Sequence, residues 1–196
     1  MLNGGKLLKL FNRFRYECCA RYPGMHEMTM CPGGWCPRKY GCMRYIGKIE
    51  GNQDFFTTPP FKDAETCAFF MDARVELARH FTHEQIAVRA FEIFKENRTY
   101  HDYSWFLAEA LLVIEQVIRG DPKVIAPDAY FADPKTWTFN KRTISQDIIR
   151  IAARAIAGKR APVQDLHWSL AEASLLLRAL EERFRDVIPR ERRGAT

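Results

Sequence analysis

A repeat in the second half of the chain limits the folds that this sequence can adopt. Shifting the chain by 63 residues places the pattern D-x-x-W-x-L-A-E-A-x-L that begins at Asp102 on the same pattern that begins at Asp165. In each copy a shorter stretch with apolar residues at helical spacing precedes this pattern. The sequence therefore predicts a helical bundle built from a duplicated helical hairpin, with repeats at about 82–119 and 145–182.

Polar residues that favour helix ends mark these elements. Thr82 and Gln85 have the spacing of a capping box, and Ser145 occupies the equivalent place in the second copy. The same reasoning predicts that Asp102 and Asp165 cap the longer helices and that Gly120 and Gly158 end helices. Outside the repeat we expect an amphipathic helix over about 6–21, a short strand over about 43–49, and a helix from Asp63 to about Arg79.

Length and composition are those of an ordinary globular protein. The chain has 196 residues, of which 47% are hydrophobic, enough for one domain with a small appendage. The fold class that we predict is mainly α, with a basic N-terminal helix and a Cys-rich metal-binding loop in residues 1–60 and the bundle in residues 61–196. Glu109 and Glu115 interrupt the longest apolar run, so no membrane span is expected.

Cysteine is concentrated in the first quarter of the chain. Five of the six cysteines precede residue 48, and Cys67 stands apart. Basic residues interrupt the first 14 residues, so these lack the apolar core of a signal peptide, and a chain with a good core needs no disulfides for stability. We therefore expect a reducing compartment, the cytoplasm, and thiols that are available to a metal.

Three of these cysteines lie in the loop Cys31-Pro-Gly-Gly-Trp-Cys36-Pro-Arg-Lys-Tyr-Gly-Cys42. Structural zinc takes four tetrahedral ligands, and Cys19 is the predicted fourth because Cys18 belongs to the apolar face of the first helix. A [4Fe-4S] cluster is the alternative cofactor, because proline follows Cys31 and Cys36 as it follows some iron–sulfur ligands. The predicted metal ligands are Cys19, Cys31, Cys36 and Cys42, with Cys18 and His26 as alternates. Free or disulfide-bonded thiols are the third possibility.

Positive charge is concentrated in the same quarter. The formal net charge is +6, and residues 1–48 hold nine basic and two acidic residues, so the rest of the chain is close to neutral. Cations neutralise phosphates and aromatic rings stack on bases, a mixture that suits nucleic acid. The alternatives are a solvated surface or an acidic protein partner. The predicted nucleic-acid-binding residues are Arg13, Arg15, Arg38, Lys39, Arg44, Trp35 and Tyr40.

Two further sets of acidic residues favour ordinary structural roles. Glu109 and Glu172 occupy equivalent repeat positions, but neither copy has the Glu-x-x-His pattern that di-iron bundles use. The second set is a stripe of polar residues with four-residue spacing: Asp72, Glu76, His80 and Glu84. Such a stripe is typical of a solvated helix face whose charge nearby arginines balance.

The sequence favours a non-catalytic protein. It has no Gly-rich phosphate loop, nucleophile elbow or H-E-x-x-H motif. The predicted function is that of a metal-stabilised binding protein or complex subunit, whose basic segment contacts nucleic acid and whose bundle docks on a protein partner. The first alternative is an iron–sulfur accessory subunit of a redox or radical enzyme complex. The second is a zinc-stabilised protein–protein scaffold.

Overall fold

The structure of the chain is a computed structural model that describes residues 28–48, 52–61, 67–125 and 137–193, with side chains to residue 188. These residues are mainly helical and contain no regular β-strand. The structure therefore confirms the prediction that the fold is mainly α. The predicted helix over residues 6–21 lies outside the described residues. None of the described helices has the length and apolar character needed to cross a membrane.

The described residues form seven α-helices and two short 3-10 turns. The turns span Lys39–Gly41 and Lys141–Thr143. The helices are α1 Met43–Ile46, α2 Ala73–Ala78, α3 His83–Lys95, α4 Tyr100–Arg119, α5 Pro122–Ile125, α6 Gln146–Ala157 and α7 Val163–Arg193.

The two long helices, α4 and α7, pack against each other at the centre of the bundle. The shorter helix α3 packs on α7, and α6 packs on α4, so each short helix contacts the long helix of the other pair. Apolar residues at helical spacing face this centre; those with the least exposure include Val113, Val117, Leu180 and Phe184. Burial of these faces stabilises the bundle.

Helix ends agree in part with the sequence predictions. Thr82 caps α3 through the predicted capping box with Gln85, and Gly120 ends α4 in the left-handed conformation with φ of 75°. The cap of α4 is Thr99, whereas Asp102 lies at the third helical position and accepts a hydrogen bond from the Thr99 backbone N–H. Asp102 therefore completes a second capping box instead of capping the helix directly.

Replacing Thr82 with alanine should destabilise the protein by about 1 kcal/mol, because the Gln85 backbone N–H loses its partner at the Thr82 hydroxyl. Ser145 is the matched control, because it precedes α6 without a side-chain capping hydrogen bond. Urea unfolding followed by circular dichroism measures both variants. Equal losses for Thr82→Ala and Ser145→Ala would show that the capping box contributes nothing.

Two elements outside the repeat were predicted wrongly. Residues 43–46 of the expected strand over 43–49 form the short helix α1 instead, and residue 49 lies outside the described residues. The expected helix from Asp63 begins only at Ala73, after the Asp72 cap; residues 67–71 are not helical, and residues 62–66 lie outside the description. The Met71 carbonyl accepts a hydrogen bond from the Met43 backbone N–H, so this stretch of chain pairs with α1 instead of with its own next turn.

A single apolar core joins the bundle to the segment that precedes it. Met43, Tyr45 and Ile46 of α1 belong to the same buried cluster as the faces of α4 and α7. Trp137 and Phe139, from the stretch between the repeats, are also buried in it, and Phe139 packs edge-on against Phe184 with ring centroids 5.3 Å apart. The core therefore extends across residue 60, where sequence analysis places a domain boundary.

Lowering the pH should destabilise the fold through His167. This side chain is 6% exposed, its ring packs edge-on against Tyr103, and its Nε2 has no hydrogen-bond partner among the described residues. Burial lowers the pKa of His167, so the unfolded chain takes up a proton at a pH where the folded chain does not. Neutral His167 therefore leaves the free energy of unfolding at its full value above about pH 6.5. Below that pH the unfolded chain takes up a proton, and the free energy of unfolding decreases.

The measurement is the free energy of unfolding in urea at about pH 7.5 and about pH 5.5 for the native chain and for His167→Phe. We expect a smaller loss on acidification for the variant, because phenylalanine can pack against Tyr103 but cannot take up a proton. The same loss in both proteins would assign the acid sensitivity to other groups.

Candidate metal centre

Four cysteine thiols line one pocket at the edge of the bundle. Cys31, Cys36 and Cys42 come from the Cys-rich loop, and Cys67 comes from the stretch before α2. The cavity between them has a volume of about 20 Å³. All four cysteines are free thiols. Most of the remaining lining is apolar or aromatic: Tyr45, Pro60, Phe61, Phe69 and Phe70.

Two glycines shape the loop between the first two cysteines. Gly33 and Gly34 have φ of 76° and 46°, in the left-handed region that favours glycine. A Cβ atom on Gly33 would lie 2.3 Å from Cε2 of Tyr45, so the backbone can pass this ring only because the residue is glycine. The Cys36 backbone N–H donates to the Gly33 carbonyl, which closes the turn and brings both cysteines to one pocket.

The bundle itself positions the third cysteine. Cys42 follows the 3-10 turn Lys39–Gly41, and its backbone forms an isolated antiparallel bridge with Asp72. Within that turn, the Tyr40 ring stacks on Phe184 of α7 with centroids 5.6 Å apart. A Cβ atom on Gly41 would lie 2.7 Å from Ile118 of α4, so the turn lies close against both long helices.

Arg44 connects the two sides of the pocket. Its Nε donates to the Phe69 carbonyl at 2.9 Å, and its Nη1 donates to the Thr29 carbonyl at 2.7 Å. Phe69 is two residues after Cys67, and Thr29 is two residues before Cys31. These hydrogen bonds link the chain segments that carry the first and fourth cysteines.

Burial and backbone hydrogen bonds act in opposite directions on two of the thiols. Burial raises the pKa of Cys31 and of Cys42. The Gly33 backbone N–H donates to the Cys31 sulfur at 3.4 Å, and backbone hydrogen bonds at Met71, Arg44 and Tyr45 partly offset the effect of burial on Cys42. Burial therefore favours the neutral thiol, whereas the backbone donors favour the thiolate, the form that binds metals.

Three of the predicted ligands lie among the described residues, and the metal that they would bind stays a prediction. Cys31, Cys36 and Cys42 line the same pocket, whereas Cys18, Cys19 and His26 lie outside the described residues, so their part in the site stays a prediction. The structure adds Cys67, which sequence analysis set apart because of its distance along the chain. The sequence contains no spacing or motif that links Cys67 to the other cysteines.

Several predicted nucleic-acid-binding residues contact the protein itself. The Arg38 guanidinium lies 3.7 Å from the centroid of the Phe70 ring, and the Lys39 ammonium lies 4.9 Å from that of Tyr40. Arg44 makes the hydrogen bonds described above. Trp35 is 89% exposed. Arg13 and Arg15 lie outside the described residues.

Three residues of the acidic sets make contacts that are typical of structural roles. The Trp168 Nε1–H donates to Glu172 at 2.9 Å. Asp72 pairs with Arg74 at 2.6 Å and Glu76 pairs with Arg79 at 2.8 Å, as expected for a balanced helix face. His80 and Glu84 are not on that helix, because α2 ends at Ala78 and α3 begins at His83.

Comparison of this chain with protein-family models, with curated proteins and with solved structures found no match.

Proposed function

We propose that Cys31, Cys36, Cys42 and Cys67 bind a [4Fe-4S] cluster, and that the chain is an iron–sulfur subunit that carries single electrons in a redox complex. The observation that carries this proposal is the lining of one pocket by four free thiols from two separate segments. Four cysteine thiolates are the usual ligand set of such a cluster. A cluster also agrees with the reducing compartment that the sequence predicts.

Zinc and a [4Fe-4S] cluster place different demands on four thiols. Zinc binds each thiolate at about 2.3 Å, so its four ligands must converge on one point. Among the described ranges, no group of three or more His, Cys, Asp or Glu side chains is arranged to hold a metal ion. A [4Fe-4S] cluster binds one thiolate at each of its four irons, so its ligands need not converge on one point.

Charge around the pocket supports the same proposal. A cluster with four thiolates carries net negative charge, and two cations, Lys39 and Arg44, line the pocket beside the thiols. Hydrogen bonds to the sulfurs and nearby charge are among the factors that set the reduction potential of a cluster. The backbone donor at Gly33 and these two cations would stabilise the reduced state, and the aromatic lining would limit contact with water.

The experiment is metal and acid-labile sulfide analysis, with an absorption spectrum, on protein purified without oxygen. We expect about four irons with matching sulfide and a broad band near about 400 nm. About one zinc without sulfide or visible colour would overturn the cluster and support the zinc-stabilised scaffold. Absence of any metal would overturn both.

We also propose that the helical part is a duplicated hairpin that docks on a protein partner. The pair α3 and α4 corresponds to the pair α6 and α7 at the 63-residue offset of the sequence repeat. The packing of each short helix on the long helix of the other pair supports this, because two copies related by an approximate twofold axis would pack in this way. In the redox complex this bundle would hold the cluster-bearing segment in place.

Nucleic-acid contact is a second candidate function, favoured by the exposure of Trp35. An exposed indole beside several cations can stack on an unpaired base. Binding of a single-stranded oligonucleotide should then weaken as salt rises, and Arg38→Ala with Lys39→Ala should weaken it further. Binding that is unchanged by salt or by these substitutions would exclude this function.

A further inference from the structure

Helix α3 carries a row of exposed side chains on the side that points away from the bundle. Residues at spacings of four, three and four lie on one face of a helix, and here they are Glu84, Val88, Phe91 and Lys95. All four are exposed, whereas Ile93, on the opposite side of the helix, is buried in the core. We call these four residues the α3 face.

The centre of the α3 face is apolar. Val88 is 55% exposed and Phe91 is 58% exposed, and they lie one turn apart on the same face. The Phe91 ring also stacks on that of Phe94, which is 58% exposed, with ring centroids 6.2 Å apart. Exposed apolar side chains grouped in this way and bordered by charge are typical of a site that contacts another protein.

The two ends of the α3 face carry opposite charges. Glu84 lies in the first turn of α3 and Lys95 in the last turn. The other carboxylate and the guanidinium of this helix, Glu92 and Arg89, pair with each other at 2.9 Å. The charge on the α3 face is therefore one carboxylate at its start and one ammonium at its end.

This arrangement is complementary to itself. When two copies of a helix pack antiparallel about a twofold axis, residues equally far from the midpoint of the contact lie opposite each other. Glu84 and Lys95 are equally far from the midpoint of the α3 face, and so are Val88 and Phe91. An antiparallel second copy therefore places opposite charges together at both ends and apolar side chains together between them. A parallel copy would place like charges together at both ends.

We infer that the α3 face is the contact surface of a homodimer, in which the α3 helices of two chains pack antiparallel about a twofold axis. Val88 of each chain packs on the partner subunit's Phe91, and Glu84 of each chain pairs with the partner subunit's Lys95. The inference adds a second copy of this chain to the proposed function, and it does not depend on which metal the cysteines bind.

The equivalent helix of the second repeat, α6, lacks this complementarity. At the 63-residue offset Ile151 takes the place of Val88 and is 68% exposed, but Arg154 takes the place of Phe91. An antiparallel copy of α6 would place the Arg154 guanidinium against the partner subunit's Ile151, with no opposite charge to pair with it. Ile151 is therefore an exposed apolar residue of the same repeat position outside the inferred interface.

The interface is small, because one helix from each chain forms it, and small interfaces are weak. We expect a dissociation constant on the order of 100 µM. At the concentration of a few micromolar that suffices for unfolding by circular dichroism, the chain is then a monomer. Substitutions on the α3 face therefore do not change the free energy of unfolding through the dimer.

The first test is sedimentation equilibrium of the full chain, purified without oxygen, from about 5 to about 500 µM. We expect Phe91→Ala to raise the dissociation constant roughly tenfold, because it removes the largest side chain at the centre of the contact. Ile151→Ala is the matched control and should leave the constant unchanged. A native chain that stays monomeric over this range would overturn the inference, and so would equal effects of the two substitutions.

The second test examines the antiparallel order of the helices. Glu84→Lys or Lys95→Glu alone makes both end contacts repulsive and should raise the dissociation constant roughly tenfold at low salt. An equimolar mixture of these two variants again places opposite charges together at both ends, so it should form a heterodimer about as stable as the native dimer. A mixture that stays as monomeric as its components would show that Glu84 and Lys95 do not meet across a twofold axis. Circular dichroism checks that each variant keeps its helices.

Discussion

Replacing Cys67 with serine should remove most of the iron and most of the visible absorption from protein purified without oxygen. Cys67 lines the same pocket as the three cysteines of the Cys-rich loop and is the only described cysteine outside residues 31–42. Without its thiolate, one iron of the proposed cluster would have no protein sulfur ligand, and serine oxygen is a harder ligand that iron–sulfur sites seldom use. The measurement is iron and sulfide per chain, together with the absorption spectrum.

Cys19→Ser is the matched control, because Cys19 is the fourth ligand that the sequence predicts. We expect this variant to keep its iron and its colour. The reverse pattern, with metal lost from Cys19→Ser and kept by Cys67→Ser, would return the site to the predicted set of Cys19, Cys31, Cys36 and Cys42. Circular dichroism at about 222 nm, where helices absorb, separates loss of metal from loss of the fold.

The helices of the repeat could be predicted because their signals are local. Apolar residues three and four apart determine which face of a helix is buried, and Thr82 with Gln85 begins α3 by contacts within one turn. The start of α2 was missed for the opposite reason. The stretch before it pairs with α1 through the Met43 N–H and the Met71 carbonyl, which are 28 residues apart in sequence. Long-range pairing of this kind leaves no periodic pattern.

The candidate site was predictable only in part. Cys31, Cys36 and Cys42 are close in sequence, so a shared site was a reasonable expectation. Cys67 lies at the pocket on a second chain segment, and Arg44 links the two segments through its hydrogen bonds to the Phe69 and Thr29 carbonyls. Spacing along a chain cannot reveal a contact that depends on the path of the backbone between two distant segments.

The basic residues show a second limit of sequence reasoning. Composition shows that cations and rings alternate, but not whether a cation faces solvent or a neighbouring ring. Arg38 lies over Phe70, and Lys39 lies between the rings of Tyr40 and Tyr45. Contacts of this type contribute to the fold of the loop, because a cation is attracted to the face of an aromatic ring. The same residues that suggest a phosphate-binding surface therefore also support the candidate metal centre.

Replacing Phe184 with alanine should cost about 3–5 kcal/mol of unfolding free energy, the range for removal of a fully buried phenylalanine. Phe184 has no exposed surface, stacks on Tyr40 and packs edge-on against Phe139. Its loss leaves a cavity between α7, the turn before Cys42 and the stretch that enters the second repeat. Because m is about 1–3 kcal/mol per molar urea, the unfolding midpoint should fall by about 1–5 M.

This substitution should also weaken the site, because Tyr40 precedes Cys42 by two residues and rests on Phe184. We therefore expect Phe184→Ala to lose iron faster to a chelator than the native chain does, at a urea concentration where both remain folded. Phe91→Ala is the control: it removes the same side chain from an exposed position on α3 and should change the unfolding free energy by less than about 0.5 kcal/mol. A Phe184→Ala protein that unfolds earlier but releases iron at the native rate would show that the bundle does not position the third cysteine.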